Sequence, residues 1–499
     1  MLFSNILEII MSAMNNNINA PFRSSTLRKK WFALDGSFSG FASFMTFLTA
    51  RLRFPVMPSS AHSSASASGS SSLLLPAAFG GSEAEAFDEN VAEYANKVWT
   101  RDSALVAMAM KIAGVPTEEA ATPIRALADV YERPENAKCM QTLIDNPNAT
   151  YNDETCAPIR FDCVTGNRTD PWGHMQLDAI GLFLLAVVDL GLADTYIALV
   201  KRFVLYLYAV GYWNREDRGH WEENSSNGAR FSSIGCCVAG LRAAEEALRR
   251  NGDDETATVA KHASELGNAV VQDRLQDPSG PTEDWGNIRK QNGRKYDSAV
   301  CTVLFPTVAK YLRLTHEQGL SIFVHYRKLV RKQGIARYEN DAYYTANFQQ
   351  QLTAWREQND GVRWPPGELM ASWAVPGKEA QWTIFEPLLL SGAIAVNICS
   401  QSCFSMRRIL ASIEEEADGD DVKFHVHESY VFVNDELEPN DIRDLLWGIA
   451  YVRMALKLFH DKLKESKMFE EQLEQILKLE IVLTGVKPPE YANREHVSL

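Results

Sequence analysis

The sequence lacks the patterns that mark several common functional classes. Its eight cysteines include no Cys-x-x-Cys pair, and its ten histidines include no pair at a spacing typical of metal ligands. We therefore predict no metal site and no cofactor. Basic residues are outnumbered, 50 against 64 acidic ones, and the net charge of −14 argues against nucleic acid as a partner. A neutral substrate is compatible with this charge.

Aromatic residues, by contrast, are plentiful, with 11 Trp and 16 Tyr. Flat aromatic faces stack on the apolar faces of sugar rings, although most aromatic residues fill the core of a globular protein. The apolar fraction of 46% and the length of 499 residues allow a large core.

The cysteines fall into two groups. Those in apolar runs are expected to be buried, and those in a polar segment could carry a disulfide if the protein is secreted. The first group is Cys236, Cys237, Cys301 and Cys399, and the second is Cys139, Cys156 and Cys163.

The beginning of the chain differs in composition from the rest. Acidic residues are absent between Asp35 and Glu83, and residues 59–73 form a Ser/Ala tract. Residues 36–50 follow a basic cluster and are apolar enough for a signal-peptide core or a weak membrane anchor, but short for a spanning helix. Plastid targeting and an unstructured leader fit equally well. We predict a targeting or disordered leader at 1–84, a catalytic domain at 85–485 and a tail at 486–499.

From about residue 83 the pattern predicts helix after helix, with few convincing strands. Residues 174–191 are apolar nearly all round, whereas 254–274 and 465–482 are strongly amphipathic. Helices of the first kind must be surrounded by protein, and those of the second need one covered face. The alternation predicts an all-α fold with an inner ring of helices inside an outer one.

Residues 219–223, Gly-His-Trp-Glu-Glu, are the strongest candidate for chemistry. Glu222 and Glu223 lie on a loop before a helix that is expected to begin at Ser232 or Ser233. A carboxyl kept protonated beside Trp221 suits donation of a proton to a glycosidic oxygen. A solvated Glu pair is the alternative.

Four further segments could help to hold a sugar. Arg next to Asp offers donors and an acceptor to adjacent hydroxyl groups, and a Trp offers a platform. Each motif alone is equally compatible with a structural role, such as an ion pair or a bond between loops. The candidates are Trp99, Arg101 and Asp102; Trp172, Gln176 and Asp178; Arg337, Tyr338, Asp341, Tyr343 and Tyr344; and Glu428, in a loop well before a helix.

Taken together, these segments resemble glycoside hydrolase family 15, the glucoamylases. The resemblance covers about residues 85–465 and follows the family's order. The same domain begins the regulatory α and β subunits of phosphorylase kinase, to which the stretches QLDAIGLFLL and HESYVFV are similar. The motifs that carry the resemblance to family 15 are WTRD at 99–102, WGxxQxD at 172–178, HWEE at 220–223, RYxxDxYY at 337–344 and the late Glu before DLLW at 444–447.

This resemblance implies an (α/α)6 barrel whose pocket removes glucose from chain ends with inversion. By motif, Glu222 matches the general acid, Glu428 the general base and Glu223 a substrate-binding carboxylate. Residues around the first glucose are matched by Arg101, Asp102, Trp172, Trp221 and Arg337, and we add Trp99, Asp178 and Asp341 as substrate-binding candidates.

The chain also departs from the family pattern. A Tyr that precedes WTRD in the fungal enzymes falls on Ala95, with Tyr94 adjacent, and a later subsite Trp falls on Gln349. The interval from Glu428 to Asp444 is sixteen positions, slightly longer than in those enzymes. His220 replaces an apolar neighbour of the acid and, if charged, lowers the pKa of Glu222.

Three hypotheses of function follow. The first is a glycoside hydrolase, an inverting exo-acting α-glucosidase on starch- or glycogen-like glucan. The second is a carbohydrate-binding regulatory protein like the phosphorylase kinase subunits, with a protein kinase as partner. A purely structural helical scaffold is a third, in which the named residues are scattered over the surface.

Overall fold

Helices dominate the structure, a computed structural model of the 499-residue chain. It describes residues 21–34, 36–52, 74–77, 94–170, 172–223, 228–283, 296–359, 365, 367–419, 421–433, 435–440 and 442–484. The helices are α1 Ser25–Phe32, α2 Phe38–Arg51, α3 Thr100–Ile112, α4 Thr117–Tyr131, α5 Pro134–Asp145, α6 Leu177–Asp189, α7 Ile197–Val210, α8 Phe231–Arg250, α9 Asp254–Leu275, α10 Pro306–Leu312, α11 His316–Tyr326, α12 Phe348–Gln358, α13 Gly367–Ala371, α14 Glu386–Ala395, α15 Cys399–Ala411, α16 Leu446–Glu465 and α17 Lys467–Thr484.

The helices form two concentric rings. In the inner ring α3 packs on α6, α6 on α8, α8 on α10 and the 3-10 segment Ser298–Leu304, that segment on α14, and α14 on α16. The ring closes because α16 packs back on α3. Helices α4, α7, α9, α11, α15 and α17 each follow an inner segment and lie outside it. The prediction of an all-α (α/α)6 barrel is confirmed.

Burial distinguishes the two kinds of helix as the hydrophobic pattern predicted. Every residue of α6 from Leu177 to Val187 is buried, because this helix has neighbours on all sides. Helix α9 buries one face, through small residues such as Ala257, Ala260 and Ala263. Inner helices are therefore apolar all round, and outer helices are amphipathic.

Two glycines allow α6 and α8 to pack closely. A Cβ atom added at Gly181 would collide with the backbone at Cys237, and one added at Gly240 would collide with the carbonyl oxygen of Gly181. A larger residue at either position requires the two helices to move apart. This pair of inner helices positions the loop that carries Glu222.

The loops before the inner segments meet at one end of the barrel. Arg101 stands at the start of α3, Gln176 directly precedes α6, and Asp297 precedes the 3-10 segment Ser298–Leu304. Glu222 lies a few residues before α8, and Glu428 precedes α16. Positive ends of several helix dipoles therefore point toward this end, where they favour negative charge.

The structure also contains short antiparallel strands, which the sequence did not predict. The strands are β1 Lys97–Trp99, β2 Arg160–Asp162, β3 Gln381–Trp382, β4 Ile413–Asp418, β5 Asp421–Val426, β6 Ser429–Val433 and β7 Glu436–Pro439. They pair as β1 with β2, β4 with β5, and β3–β6–β7 in one three-stranded sheet. Glu428 lies between β5 and β6 rather than in an extended loop, and the β6–β7 hairpin fills the long interval before Asp444.

The N-terminal region needs a correction. Helices α1 and α2 pack on α15, α16 and β5, and Leu27, Trp31 and Phe41 are fully buried there. Residues 25–51 are thus part of the folded structure, because their apolar side chains cover a face of the barrel. The Ser/Ala tract at 59–73 and the tail at 486–499 lie outside the described residues. Among the residues that are described, no helix is long and apolar enough to span a membrane.

Burial of the cysteines agrees with the prediction for the apolar group. Cys236, Cys237, Cys301 and Cys399 are all buried. The three cysteines of the polar segment, Cys139, Cys156 and Cys163, are unpaired thiols in this structure. At Cys156 burial raises the pKa of the thiol well above its usual value, so this sulfur is a poor nucleophile.

Candidate active site

Glu222 and Glu223 occupy a tight turn that sends their side chains to different partners. The turn begins at Gly219 with φ 61°, and Glu222 itself has φ 59°, a left-handed conformation that is costly for a residue with a Cβ atom. Backbone bonds from the Glu222 amide to the Gly219 carbonyl and from the Glu223 amide to the Arg218 carbonyl, both 3.1 Å, hold it. Local strain of this kind is typical of functional sites.

Arg101 is the main partner of Glu222. Its Nη2 donates to Oε1 of Glu222 at 2.8 Å, and its Nη1 donates to Asp178 at 3.1 Å and to Gln176 at 2.8 Å. Arg101 is 4% exposed and Asp178 is fully buried. Asp178 therefore holds Arg101 through an ion pair, and its predicted contact with a sugar stays a prediction.

Burial governs the protonation of the carboxyls at this end of the barrel. It raises the pKa of Glu222, although the Arg101 and Arg160 charges oppose the shift. Burial likewise raises the pKa of Asp102 to about 7, with the Glu222 and Glu428 charges adding to the effect. These three carboxyls thus share one electrostatic environment.

Glu428 has neutral partners. The Tyr94 hydroxyl donates to its Oε1 at 3.0 Å, and the Asn440 side-chain amide donates to its Oε2 at 3.0 Å. Burial and the Glu222 charge raise the pKa of Glu428 to about 7, because these two hydrogen bonds offset only part of the lost hydration. Glu222 and Glu428 therefore interact electrostatically at this end of the barrel.

Arg337 lies in a cage of aromatic rings and acids. Its guanidinium donates two hydrogen bonds to the Asp341 carboxylate, at 2.6 and 2.8 Å, and stands 3.2 Å from Glu223. The rings of Trp221 and Tyr343 lie 5.0 and 4.6 Å from its central carbon. Asp341 is fully buried and orients Arg337, and its predicted contact with a sugar stays a prediction.

Trp221 is fixed by a buried acid. Its indole Nε1 donates to Asp297 at 2.7 Å, and its ring packs on Trp382 and Phe385. His220, beside it, is 4% exposed. Burial and the Arg101 charge lower the pKa of His220 well below its usual value, so the imidazole is neutral. The expectation that a charged His220 acidifies Glu222 is therefore wrong.

Trp99 and Trp172 form the third side of the site. Their rings meet edge to face at 6.0 Å, and the Arg160 guanidinium covers Trp172 at 3.6 Å from the ring centre. Tyr94 packs on Trp99 at 5.4 Å. Trp172 therefore presents less open ring surface to a ligand than the sequence suggested.

The structure brings the predicted site residues to one end of the barrel, and two of them, Asp178 and Asp341, bind Arg101 and Arg337. Sequence reasoning missed five others that shape the site. Tyr94 was noticed only as the neighbour of the expected position, and Asn440 gave no signal because it is twelve residues beyond Glu428 at the end of β7. The missed residues are Tyr94, Arg160, Asp297, Trp382 and Asn440.

Comparison with solved structures agrees with this architecture. A glycosidase in complex with glucose superposes with a TM-score of 0.58 at 17% identity, covering 86% of this chain and 97% of that one. The glucoamylase from Saccharomycopsis fibuligera gives 0.52 at 13% identity, covering 85% and 96%. At these identities the likeness shows the fold alone.

Curated relatives in sequence are of another kind. The phosphorylase b kinase regulatory subunit alpha of Rattus norvegicus, skeletal muscle isoform, is 24% identical over 267 residues, 51% of this chain and 19% of that protein. The probable counterpart of Drosophila melanogaster is 26% identical over 240 residues, 44% and 17%. The chain spans about a fifth of the length of these relatives.

The family profile of glycosyl hydrolases family 15 matches residues 60–364. That range includes Arg101, Asp178, Glu222 and Arg337, although not Glu428. Together with the double ring and the convergence of these side chains, the match identifies the chain as a member of the glycosyl hydrolases family 15.

Proposed function

We propose that this chain is an inverting exo-acting α-glucosidase that hydrolyses starch- or glycogen-type α-glucans. The main support is that Glu222 and Glu428, from loops far apart in the sequence, come to one end of the barrel, where the Glu222 charge raises the pKa of Glu428. An inverting hydrolase needs such a pair across a gap of roughly 6.5–9.5 Å, which holds the attacking water.

Glu222 is the proposed general acid. Its carboxyl is half-buried and its raised pKa favours the proton that it must give to the leaving oxygen. Arg101 opposes this in the free protein. Sugar hydroxyl groups that bind Arg101 weaken its hydrogen bond with Glu222. The pKa of Glu222 is then higher with substrate bound than without, so Glu222 keeps the proton that it must donate.

Glu428 is the proposed general base. Tyr94 and Asn440 fix both of its oxygens, which aims the carboxylate at one position where a water can be deprotonated. Because its pKa is raised to about 7, activity is expected to fall as the solution is acidified below that value. The aromatic cage around Arg337 is the proposed binding site for the terminal glucose.

The test is release of β-glucose from maltooligosaccharide by the purified full-length chain, followed by NMR of the anomeric proton. We expect Glu222→Gln and Glu428→Gln to lower kcat by about 10²–10⁴-fold each, as for loss of a general acid or base. Glu216→Gln is the matched control, since Glu216 is exposed on the same loop as Glu222. A wild-type chain that binds the oligosaccharide and releases no sugar contradicts the proposal.

A second candidate function is carbohydrate binding without turnover, as part of a regulatory assembly with a protein kinase. Two observations favour it: the phosphorylase b kinase regulatory subunits among the relatives, and the ion pair from Arg101, which favours the charged form of the proposed acid. Calorimetric binding of maltooligosaccharide that Arg337→Ala abolishes, with no glucose release and with co-purification of a kinase, is the result that supports this candidate.

A further inference from the structure

Arg101 is shared between two carboxylates. Its two terminal nitrogens point in different directions, one to Glu222 at 2.8 Å and the other to Asp178 at 3.1 Å. A guanidinium has one positive charge, so each carboxylate competes with the other for it. The geometry therefore couples Glu222, at the mouth of the site, to an acid deep in the barrel.

Asp178 lies deep in the barrel. Its side chain has no exposed surface, and it projects from the first turn of α6, an inner helix buried from Leu177 to Val187. A buried carboxylate without a cation is costly, so the ion pair with Arg101 explains its presence. A purely structural role is the competing explanation.

We infer that Asp178 is a positioning residue that keeps part of the Arg101 charge away from Glu222, and so helps Glu222 to hold a proton. This inference deepens the proposed function and rests on it for its catalytic meaning. The pKa directions agree with the geometry, since the Arg101 charge lowers the pKa of Glu222 and the Asp178 charge raises it.

Other charges around Glu222 do not replace Asp178. From the remaining elements, Glu222 is influenced by a cation on β2, by carboxyls on α3 and beyond β5, and by phenols near β1 and before α12. They are Arg160, Asp102, Glu428, Tyr94 and Tyr343. Of these, Asp102 stands 3.9 Å from the Arg101 Nε, farther than Asp178 at 3.1 Å, and Arg101 also donates to the neutral side-chain oxygen of Gln176.

The experiment is a pH titration of the Glu222 side-chain carboxyl carbon by NMR of ¹³C-labelled full-length protein, assigned with Glu222→Gln. In Asp178→Asn the freed Arg101 charge stabilises the Glu222 anion, so the midpoint moves to lower pH by about one unit, a tenfold loss of proton affinity. The alkaline limb of the pH profile for hydrolysis is expected to move the same way, because an acid is lost as pH rises through its pKa.

Gln176→Glu supplies the opposite change. It places a carboxylate where Arg101 now meets the Gln176 side-chain oxygen at 2.8 Å, so the Glu222 midpoint is expected to rise. Asp189→Asn is the control, since Asp189 lies at the far end of the same helix and pairs with Lys111. It should leave the midpoint unchanged.

An unchanged Glu222 midpoint in folded Asp178→Asn overturns the inference. If that variant does not fold, Gln176→Glu decides, and a midpoint that stays or falls overturns it. Failure of the proposed function has a different signature, because the Glu222 midpoint still moves as described in both variants while the wild-type chain releases no glucose.

Discussion

The surroundings of Glu222 and Glu428 differ in kind, although both carboxyls lie at the same end of the barrel. Glu222 faces the Arg101 cation, whereas Glu428 accepts hydrogen bonds from the neutral groups of Tyr94 and Asn440. A cation opposes the effect of burial on pKa more strongly than neutral donors do. In the free protein, Glu428 is therefore readily protonated near neutral pH, with a pKa of about 7.

The proposed mechanism needs the proton on Glu222 and the charge on Glu428. Arg101 opposes the first, and it is the group through which a bound sugar can raise the proton affinity of Glu222. Removal of the Arg101 ion pairs or of the Tyr94 hydrogen bond should therefore change the difference between the surroundings of Glu222 and Glu428.

The largest effect is expected from Arg101→Met. Without the guanidinium, Asp178 is left buried and unpaired and Glu222 loses its partner, which costs about 3–5 kcal/mol of unfolding free energy, as for other broken buried pairs. Urea denaturation measures this cost.

Arg249→Met is the matched control for that substitution. Arg249 pairs with Glu245 on the surface, where its side chain is 44% exposed, so its removal should cost about 0–1 kcal/mol. Addition of Asp178→Asn to Arg101→Met should restore stability, since no buried charge is then left alone. If Arg101→Met costs no more than Arg249→Met, the cation is not the feature that sets Glu222 apart.

A smaller effect is expected from Tyr94→Phe. The Tyr94 hydroxyl stabilises the Glu428 anion, so its loss raises the pKa of Glu428 further above its usual value. A base is lost as pH falls through its pKa, so the acidic limb of the hydrolysis profile should move to higher pH. A hydrogen bond to a charged group contributes about 1.5 kcal/mol, which corresponds to about one pH unit.

The pH dependence of kcat/KM checks this, and the alkaline limb, assigned to Glu222, should not move. Tyr196→Phe is the control, because the Tyr196 hydroxyl donates to Asp129 at 2.9 Å away from the site. A shift of both limbs together in Tyr94→Phe contradicts the separate surroundings of the two carboxyls.

How much of this contrast the sequence predicts depends on the distance between partners. Helical periodicity predicted the rings, and adjacent residues such as Arg101 and Asp102 predicted a polar site, because local spacing fixes which side chains share a helix end. The pairing of Glu428 with Tyr94 joins residues 334 positions apart, and no local pattern reports it.

The sequence also does not show how two acids and one segment pack. Asp178 and Asp341 stand in motifs with Arg, but only packing shows that the Arg lies between the acid and the open site. The apolar pattern at 36–50 fits an anchor or a leader as well as a helix that packs on the barrel, and the tertiary partner in α16 decides.

The smallest effect is expected from Glu415→Gln. It tests whether the surroundings of Glu428 can change without affecting those of Glu222. Glu415 lies on β4, which pairs with β5 just before Glu428, and it accepts bonds from the Ser24 and Ser25 hydroxyls at 2.6 and 2.8 Å. These bonds lower its pKa to about 2, so their contribution to stability is full above about pH 4.5 and is lost as pH falls through 2. At pH 7 the substitution should cost about 1 kcal/mol or less.

Because Ser24 and Ser25 bind the β4–β5 hairpin that directly precedes Glu428, any change in activity should appear in the acidic limb alone. Asp418→Asn is the control, an exposed acid at the tip of the same hairpin. Thermal unfolding and the pH profile of hydrolysis together measure both effects. A displaced alkaline limb in Glu415→Gln contradicts the division, since it requires the hairpin to act on Arg101 and Glu222 across the barrel mouth.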